Sequence, residues 1–523
     1  MITKLPKEFN ETISRNNGLK MYLSNLNKGR DFTPRSWLYE DQEPDKILSD
    51  WLNHLSRLET GDTFEKKVFQ FDTSQMKKWG PQGGIRPISE LMDEIVLPTF
   101  SSADSPQPEA FESKTWTLAQ RNVVQQFTNH GIRGIRPASY KHVVDDMRTR
   151  DTLESNSGWP DFTRRNKPEV IHSAIAAAQD GEWAKYPAIA LFRNYNQKTR
   201  LVWMFPMAAN LFEGAYMQPL QSAIVNRGSM FYAPWKGFEE VRKLVTKAYD
   251  ANEFLSASDF SSTDAHFQLR TTMQVYDCLK FLIQQSSVDG LLLSLERMHS
   301  IPLIVGPDRM VQGWHGVSSG SNWTNFVETI FDDILSNFVM LETDYNTIGS
   351  CAIGDDMLWR SERFDEELSQ RLEKFGKAVG QEINAEKVTN EPDTVKFLQR
   401  LFQRGYRRPD GLIRGVYSTV RALKSSVYPE RFHKPSTWSS DMFCARQYMI
   451  LENCVDHPLF EDFVKFVVRG QKDLIPFAKK SARELDRIGR QSKLLPGLNP
   501  TYNQEKRDTS LSSFQSIEYA RKL

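Results

Sequence analysis

Two neighbouring carboxylates are the first residues of this chain whose placement could do chemistry. The stretch SCAIGDDMLWR, residues 350–360, sets Asp355 and Asp356 between two apolar runs. Gly and Asp tolerate the positive φ of a tight turn, so the segment reads as a hairpin between strands. It reads equally as negative charge held in a fixed place for a metal ion. A further pair of acids lies upstream in EFLSASDFSSTDAHFQL, residues 253–269. There Phe254, Ser256 and Ser258 alternate with Leu255, Ala257 and Asp259, the pattern of a half-buried strand that ends on a carboxylate. After a Ser/Thr-rich turn, Asp264 opens a helix, where an acid complements the N-terminal dipole. Taken singly, Asp259 is a solvated strand end and Asp264 a cap.

Strands ending near Asp259 and Asp355, laid side by side in one sheet, would bring these acids within reach of a shared pair of hard cations. Mg²⁺ suits such a place, because it takes one or two carboxylates and fills its other positions with water and substrate phosphates. Two such ions clamp the attacking and leaving oxygens of an in-line phosphoryl displacement. Between the acids lies GWHGVSSGSNWTNFVETIFDDIL, residues 313–335. Its Ser318, Ser319, Gly320 and Ser321 form a hydroxyl-rich loop that lets a nucleic-acid backbone approach, and Thr324 and Asn325 offer hydrogen bonds. Trp323, Phe326, Val327, Ile330 and Phe331 follow at helical spacing, which is also the pattern of a plain capped core helix. Upstream, RNYNQKTRLVWMFP places Arg193, Lys198 and Arg200 before an apolar run. Cations on one face of a strand can meet a triphosphate, or simply decorate a surface.

In this order the segments resemble the motifs of viral RNA-dependent RNA polymerases, above all those of double-stranded RNA viruses of the picobirnavirus and partitivirus kind. Asp259 and Asp264 match the D-x4-D of motif A; Ser319, Gly320 and Thr324 match the S-G-x3-T of motif B; Gly354, Asp355 and Asp356 match motif C. KTRLVW resembles the K-x-R of motif F, SNSGWP the template-entry motif G, NAEK motif D, and KFLQR motif E. The resemblance implies roles for the matched residues. Asp259 and Asp355 would be the principal metal ligands and Asp356 an accessory one, with Mg²⁺ as the ion and Mn²⁺ a substitute. Asp264 would recognise the ribose 2′-hydroxyl. Arg193, Lys198 and Arg200 would hold the triphosphate; Ser319, Thr324 and Asn325 would belong to the nucleotide site. Lys387 would protonate the pyrophosphate leaving group. Ser157, Gly158, Pro160, Gly320 and Arg400 would follow template and product RNA. One departure stands out: an asparagine follows the motif B threonine by four residues in many positive-strand relatives, and here that residue is Glu328. Either Glu328 or Asn325 is then the partner of Asp264. Position 156 of motif G is Asn rather than a hydroxyl residue.

The elements that must position these residues belong to a large protein. At 523 residues the chain exceeds one usual core, and 39% hydrophobic and 25% charged residues are the proportions of a globular protein. No window approaches the roughly 18 apolar residues of a membrane span. The opening residues lack a secretory signal, so the expected setting is a cell or particle interior. The four cysteines show no paired short spacing, which argues against a disulfide framework or structural zinc. A formal net charge of +1 neither announces nor excludes a nucleic-acid partner.

The resemblance implies an α+β, mainly helical right-hand fold with an antiparallel palm sheet. Residues 1–69 would form an extension bridging fingers and thumb, 70–240 the fingers, 241–266 palm, 267–308 a fingers insertion, 309–405 palm again, and 406–523 the thumb and tail. Phe514 and Tyr519, in a tail read as polar, offer rings for base stacking near the active site. The expected partners are RNA template, nascent RNA, ribonucleoside triphosphates and a viral capsid protein, without a membrane. The expected location is the virion interior and the infected cytoplasm. From the acids alone a metal-dependent phosphohydrolase or a non-enzymatic RNA-binding particle protein remains open, and Gly354 before the paired aspartates disfavours a reverse transcriptase.

Overall fold

The acid-bearing segments fold as strands of one sheet in a computed structural model that describes residues 1–431, 433–498 and 509–523. Strand β1 spans Phe254–Asp259, β2 Thr347–Ile353, β3 Asp356–Ser361 and β4 Thr389–Asn390. They lie in the order β2-β3-β1-β4 with antiparallel pairing. A two-residue turn, 354–355, joins β2 to β3, with Gly354 at φ 59°. Positive φ at the first turn residue matches the right-handed twist of the flanking strands, and glycine adopts it without strain.

The alternation expected of β1 is not what burial shows: Leu255, Ser256, Ala257 and Ser258 are all buried. The serines are tolerated because each is paired. Ser256 Oγ donates to Asn390 Oδ1 at 3.0 Å, and Ser258 Oγ accepts from Trp359 Nε1 at 2.9 Å. A small polar residue satisfied by a neighbouring strand costs little inside, so polarity here does not report exposure.

Three helices bear on the site: α1 (Met207–Arg227), α2 (Thr263–His266) and α3 (Trp323–Glu342). Helix α3 continues the apolar run seen in the sequence, and it is buried on nearly every side from Phe326 to Ser336, including Glu328, Asp332 and Asp333. It packs on β2 and on the helix Lys114–Asn129. A helix enclosed all round needs no polar stripe, so its acids are not marks of a solvent face.

The chain divides into two units. The first comprises Met1–Gly29, Arg86–Phe192 and Arg200–Phe397. Its principal core joins Trp116, Phe127, Tyr232, Phe267, Phe331 and Trp359. A five-stranded mixed sheet sets Ile2–Lys4 against Arg309–Val311, followed by Leu303–Ile304, Ala188–Tyr195 and Lys198–Met204.

The second unit comprises Arg30–Ile85, Arg193–Thr199 and Leu398–Leu523. Its core gathers Trp51, Phe71, Tyr417, Phe443, Phe463 and Phe514. Asp72 cross-links its distant segments: it accepts from Ser418 Oγ and Thr419 Oγ1 at 2.6 Å, Val420 N at 2.9 Å and His457 Nε2 at 2.8 Å. Of the segment 1–69 expected as one extension, Met1–Gly29 falls in the first unit and the remainder in the second. The amphipathic run after Glu43 is the helix Pro44–Leu55, continued by a 3-10 turn over Ser56–Thr60.

Phe514 is 1% exposed. It leads into the helix Gln515–Arg521, whose first amides, Gln515 N and Ser516 N, each donate to Glu452 at 3.0 Å. The stacking role weighed for Phe514 is therefore corrected: its ring is core of the second unit. Residues 501–508 of that tail lie outside the described residues. Among the described residues no helix is long and apolar enough to cross a membrane.

Candidate active site

The paired carboxylates are presented by a turn that α3 holds from behind. Thr329 Oγ1 accepts from Gly354 N at 2.8 Å, and Ser336 Oγ accepts from Gly349 N at 2.8 Å. A Cβ on Gly354 would lie 3.0 Å from Asn325 Nδ2 and 3.4 Å from Glu328 Oε2, so the first turns of α3 border the acids directly. Across the sheet, the register of β1 with β3 sets Asp259 opposite Asp356. Directly opposed residues of an antiparallel pair have Cα atoms about 4.5–5.5 Å apart. The two strands expected side by side share one sheet but are not neighbours: β3 lies between β1 and β2, so Asp259 faces Asp356 at the start of β3 and Asp355 stands in the turn. Beyond Asp259 the chain turns through Ser262, at φ 53°, into α2. This delivers Thr263, whose hydroxyl donates to Asp355 Oδ2 at 2.9 Å, beside Asp264.

Electrostatics mark this corner as over-supplied with negative charge. Burial pushes the Asp356 carboxyl up to about 8, with the charges of Asp355 and Asp259 adding to it. Asp355 is also raised by burial, against which the Thr263 hydroxyl and the Arg200 charge work. Behind the turn, burial and then Asp355, Asp264, Asp332 and Asp356 hold Glu328 far above the usual carboxyl range. Asp332, raised likewise, is fully buried with both carboxyl oxygens unpartnered.

Among the described residues no three His, Cys, Asp or Glu side chains are gathered tightly enough to hold a metal ion alone. The donor set nevertheless fits a hard cation that shares its coordination with substrate: oxygen-only ligands whose pKa values are raised by burial, at Asp356 also by the neighbouring acids, with the Arg200 charge acting on Asp355.

The Ser-Gly loop owes its glycine to packing. A Cβ on Gly320 would sit 1.7 Å from the carbonyl oxygen of Trp203, and one on Gly316 would sit 1.7 Å from that of Asp264. Ser319, exposed, accepts from Trp203 N at 3.3 Å, and Gly320 O accepts from Asn210 Nδ2 at 3.1 Å. Thr324 Oγ1 donates to Ser318 O at 2.5 Å, bracing the loop against α3. Asn325 is exposed and its Oδ1 accepts from Trp235 Nε1 at 3.1 Å.

The remaining sequence candidates separate. Arg200, in the first unit, is exposed and close enough to Asp355 for its charge to be felt. Arg193 and Lys198 belong to the second unit. There Arg193 is engaged by Glu430 through two 2.7 Å bonds, and Lys198 is exposed. Lys387 is exposed at the end of the short turn Ala385–Lys387. Gly158 adopts φ 66° against the Phe205 carbonyl, and Pro160 follows a cis peptide. Ser157, 2% exposed, turns inward, its Oγ accepting from Thr163 N at 3.2 Å. Asn156 Oδ1 accepts from Gly158 N at 2.8 Å, so the amide does the turn's local work where a hydroxyl was absent.

Arg400 requires a correction. It is 5% exposed and donates to Asn453 O at 2.9 Å and Gly415 O at 3.3 Å, so its guanidinium organises the interior of the second unit instead of facing RNA. Thr263 and Asp332 were missed by sequence reasoning. Asn325, Glu328 and Asp332 recur at helical spacing on one face of α3, a signal that was present, but only the fold shows that this face meets the turn.

Similarity to known proteins agrees with this geometry. A family profile described as viral RNA-dependent RNA polymerase matches residues 195–429. The chain is 28% identical over 482 residues to a potential RNA-dependent RNA polymerase of Human picobirnavirus (strain Human/Thailand/Hy005102/-), covering 87% of this chain and 86% of that protein. In fold it is similar to the crystal structure of the RNA-dependent RNA polymerase of a human picobirnavirus, with a TM-score of 0.82 at 22% identity over 99% of this chain and 100% of the other. An insertion-loop deletion mutant of such a polymerase gives the same TM-score at 23% identity, again over 99% and 100% of the two chains. The acids on paired strands, the Ser-Gly loop, the right-hand polymerase fold and the matched segment agree with one another: the chain is similar to viral RNA-dependent RNA polymerases, those of picobirnaviruses among them.

Proposed function

We propose that this chain replicates and transcribes the genome of a double-stranded RNA virus by template-directed transfer of a nucleotide to an RNA 3′-hydroxyl, with pyrophosphate released. The observation that carries the reading is the register of Asp259 opposite Asp356, with Asp355 in the adjoining turn. Asp259 and Asp355, with Asp356 as accessory, would hold a pair of Mg²⁺ ions, or Mn²⁺ in substitution. When bound, such ions neutralise charge on the attacking and leaving oxygens. Thr263 orients Asp355 through its 2.9 Å hydrogen bond. Asp264 reads the ribose 2′-hydroxyl, and exposed Asn325 is better placed than buried Glu328 to meet a sugar beside it. Arg200 and Lys198 hold the triphosphate, and Lys387 donates a proton to the departing pyrophosphate. Ser319 and Gly320 follow template and nascent pair.

In this reading residues 70–240 and 267–308 serve as fingers, 241–266 and 309–405 as palm, and 406–523 as thumb. A capsid protein is the expected partner, and the virion interior and infected cytoplasm the expected setting. Primer extension on an RNA template, with ribo- and deoxyribonucleotides compared, tests the proposal. Incorporation should require Mg²⁺ or Mn²⁺ and favour ribonucleotides. Asp355→Ala should lower it on the order of a thousandfold or more, as expected when a group stabilising transition-state charge is lost, with RNA affinity retained. Comparable incorporation by Asp355→Ala would sink the assignment.

A further inference from the structure

The template-entry segment and the Ser-Gly loop lie far apart in sequence, yet one buried polar network joins them. At its centre is Glu213 on α1, 2% exposed. Its Oε1 accepts from Asn210 Nδ2 at 2.9 Å and from Asn322 N at 3.1 Å, and its Oε2 accepts from the Ser321 hydroxyl. Asn210, 1% exposed, extends the network both ways. Towards the Ser-Gly loop its Nδ2 donates to Gly320 O at 3.1 Å, and its backbone carbonyl accepts from Asn322 Nδ2 at 2.9 Å. Towards the template-entry segment its Oδ1 accepts from Arg165 at 2.8 Å, and Arg165 Nε donates to Asn156 O at 3.1 Å. The same segment is tied to the start of α1 by Met207 N, which donates to Ser157 O at 2.8 Å.

Burying a carboxylate and a guanidinium is costly, and their attraction seldom repays more than that cost in stability. Burial pushes Glu213 up to about 7 and Arg165 down to about 10, with the opposite charge working against the shift in each case. What a fully connected buried network does supply is a single allowed geometry. This network fixes the two loops against one another, since each bond named above ends on loop backbone, on a loop side chain or on α1.

We propose that Glu213, with Asn210 and Arg165, is a positioning set that makes the template-entry loop, residues 156–165, and the Ser-Gly loop, residues 318–322, shift as one body as the template advances. The proposal rests on the polymerase reading above. Its test separates two measurements on the full-length chain: incorporation of the first nucleotide, and the advance between successive nucleotides. The variants are Arg165→Ala, Ser321→Ala and their combination, made in the natural background and with Glu213→Ala.

Each single change should slow the advance about tenfold, a size typical of coupled buried contacts, while KM for the first nucleotide stays within about twofold. In the natural background the combination should be no slower than the slower single variant. With Glu213→Ala already in place, Ser321→Ala should add no further slowing, because the acceptor of its hydroxyl is gone. Glu213→Gln keeps an acceptor and a donor in place and should advance at close to the natural rate; it also serves if the alanine variant fails to fold. Multiplying effects in the natural background, or a change in KM without a change in advance, would overturn the proposal. Absence of any incorporation by the natural chain would strike the polymerase reading first, and this inference with it.

Discussion

Gly320 carries a constraint that a motif alone does not explain. Its Cβ position is 1.7 Å from the Trp203 carbonyl oxygen, so any side chain must displace either the loop or the strand beneath it. Gly320→Ala should therefore cut incorporation at least about tenfold while the fold survives, because overpacking of this kind typically costs about 1–3 kcal/mol. Primer extension alongside a thermal melt checks both halves of that expectation. Asp333 makes a separate prediction about stability. It is 3% exposed, and burial pushes its carboxyl up to about 7, against the 2.7 Å hydrogen bond from Tyr232. A group whose pKa is raised on folding gives its full stabilisation below its ordinary value and loses it as pH climbs through the raised one. The Tm should accordingly fall between about pH 4 and 7, and Asp333→Asn should fall less steeply over that range. An identical slope in both proteins would refute the assignment of this group.

Among the elements, the hairpin and α3 act as one device. Two hydroxyls of the helix, Thr329 and Ser336, accept backbone N–H groups of the turn glycine and of β2, which sets the height at which Asp355 stands. Thr329→Val keeps the shape but leaves the Gly354 N–H without its acceptor. Such a loss costs about 1–3 kcal/mol. The expected outcome is reduced incorporation with RNA binding unchanged, read by primer extension and filter binding. An unaltered rate would mean that β2 and β3 hold the turn without help from the helix. The same helix encloses Glu328 and Asp332, so these acids stand behind the turn and not on a solvent face.

The second unit shows how stability is shared across the whole chain. Its N-terminal segment reaches residues near position 420 through Asp72, which caps the helix Thr419–Val427 and receives His457. Burial alone would raise this carboxyl, but the hydrogen bonds and charge of His457, with Ser418 and Thr419, hold it below the usual value. Its stabilising effect is thus present above the ordinary aspartate range and is lost as pH falls. Asp72→Ala should destabilise the protein by about 3–5 kcal/mol, the range seen when one partner of a buried pair is removed, measured by urea denaturation. Removal of residues 511–523 tests the C-terminal helix in the same way. Leu511, Phe514, Ile517 and Ala520 are all at most 2% exposed, and withdrawing these side chains should cost on the order of 5 kcal/mol. A truncated chain with unchanged stability and altered initiation would instead return the tail to the active site.

The acids, the turn that carries them and the order of the motifs are legible in the residue string, because each depends on residue types within a few positions of one another. Glycine before paired aspartates, an apolar run at helical spacing and a strand ending on Asp259 are local signals, and they survive intact in the fold. Which atoms meet follows from the folded chain alone. The Asp259 to Asp356 register, the Thr263 hydroxyl on Asp355 and the Glu213 network join residues far apart in sequence, and no local pattern encodes such distances. Arg400 and Phe514 show the reverse case. An arginine after a polymerase-like motif and an aromatic in a polar tail look available, until a carbonyl cage in one instance and a helical core in the other enclose them.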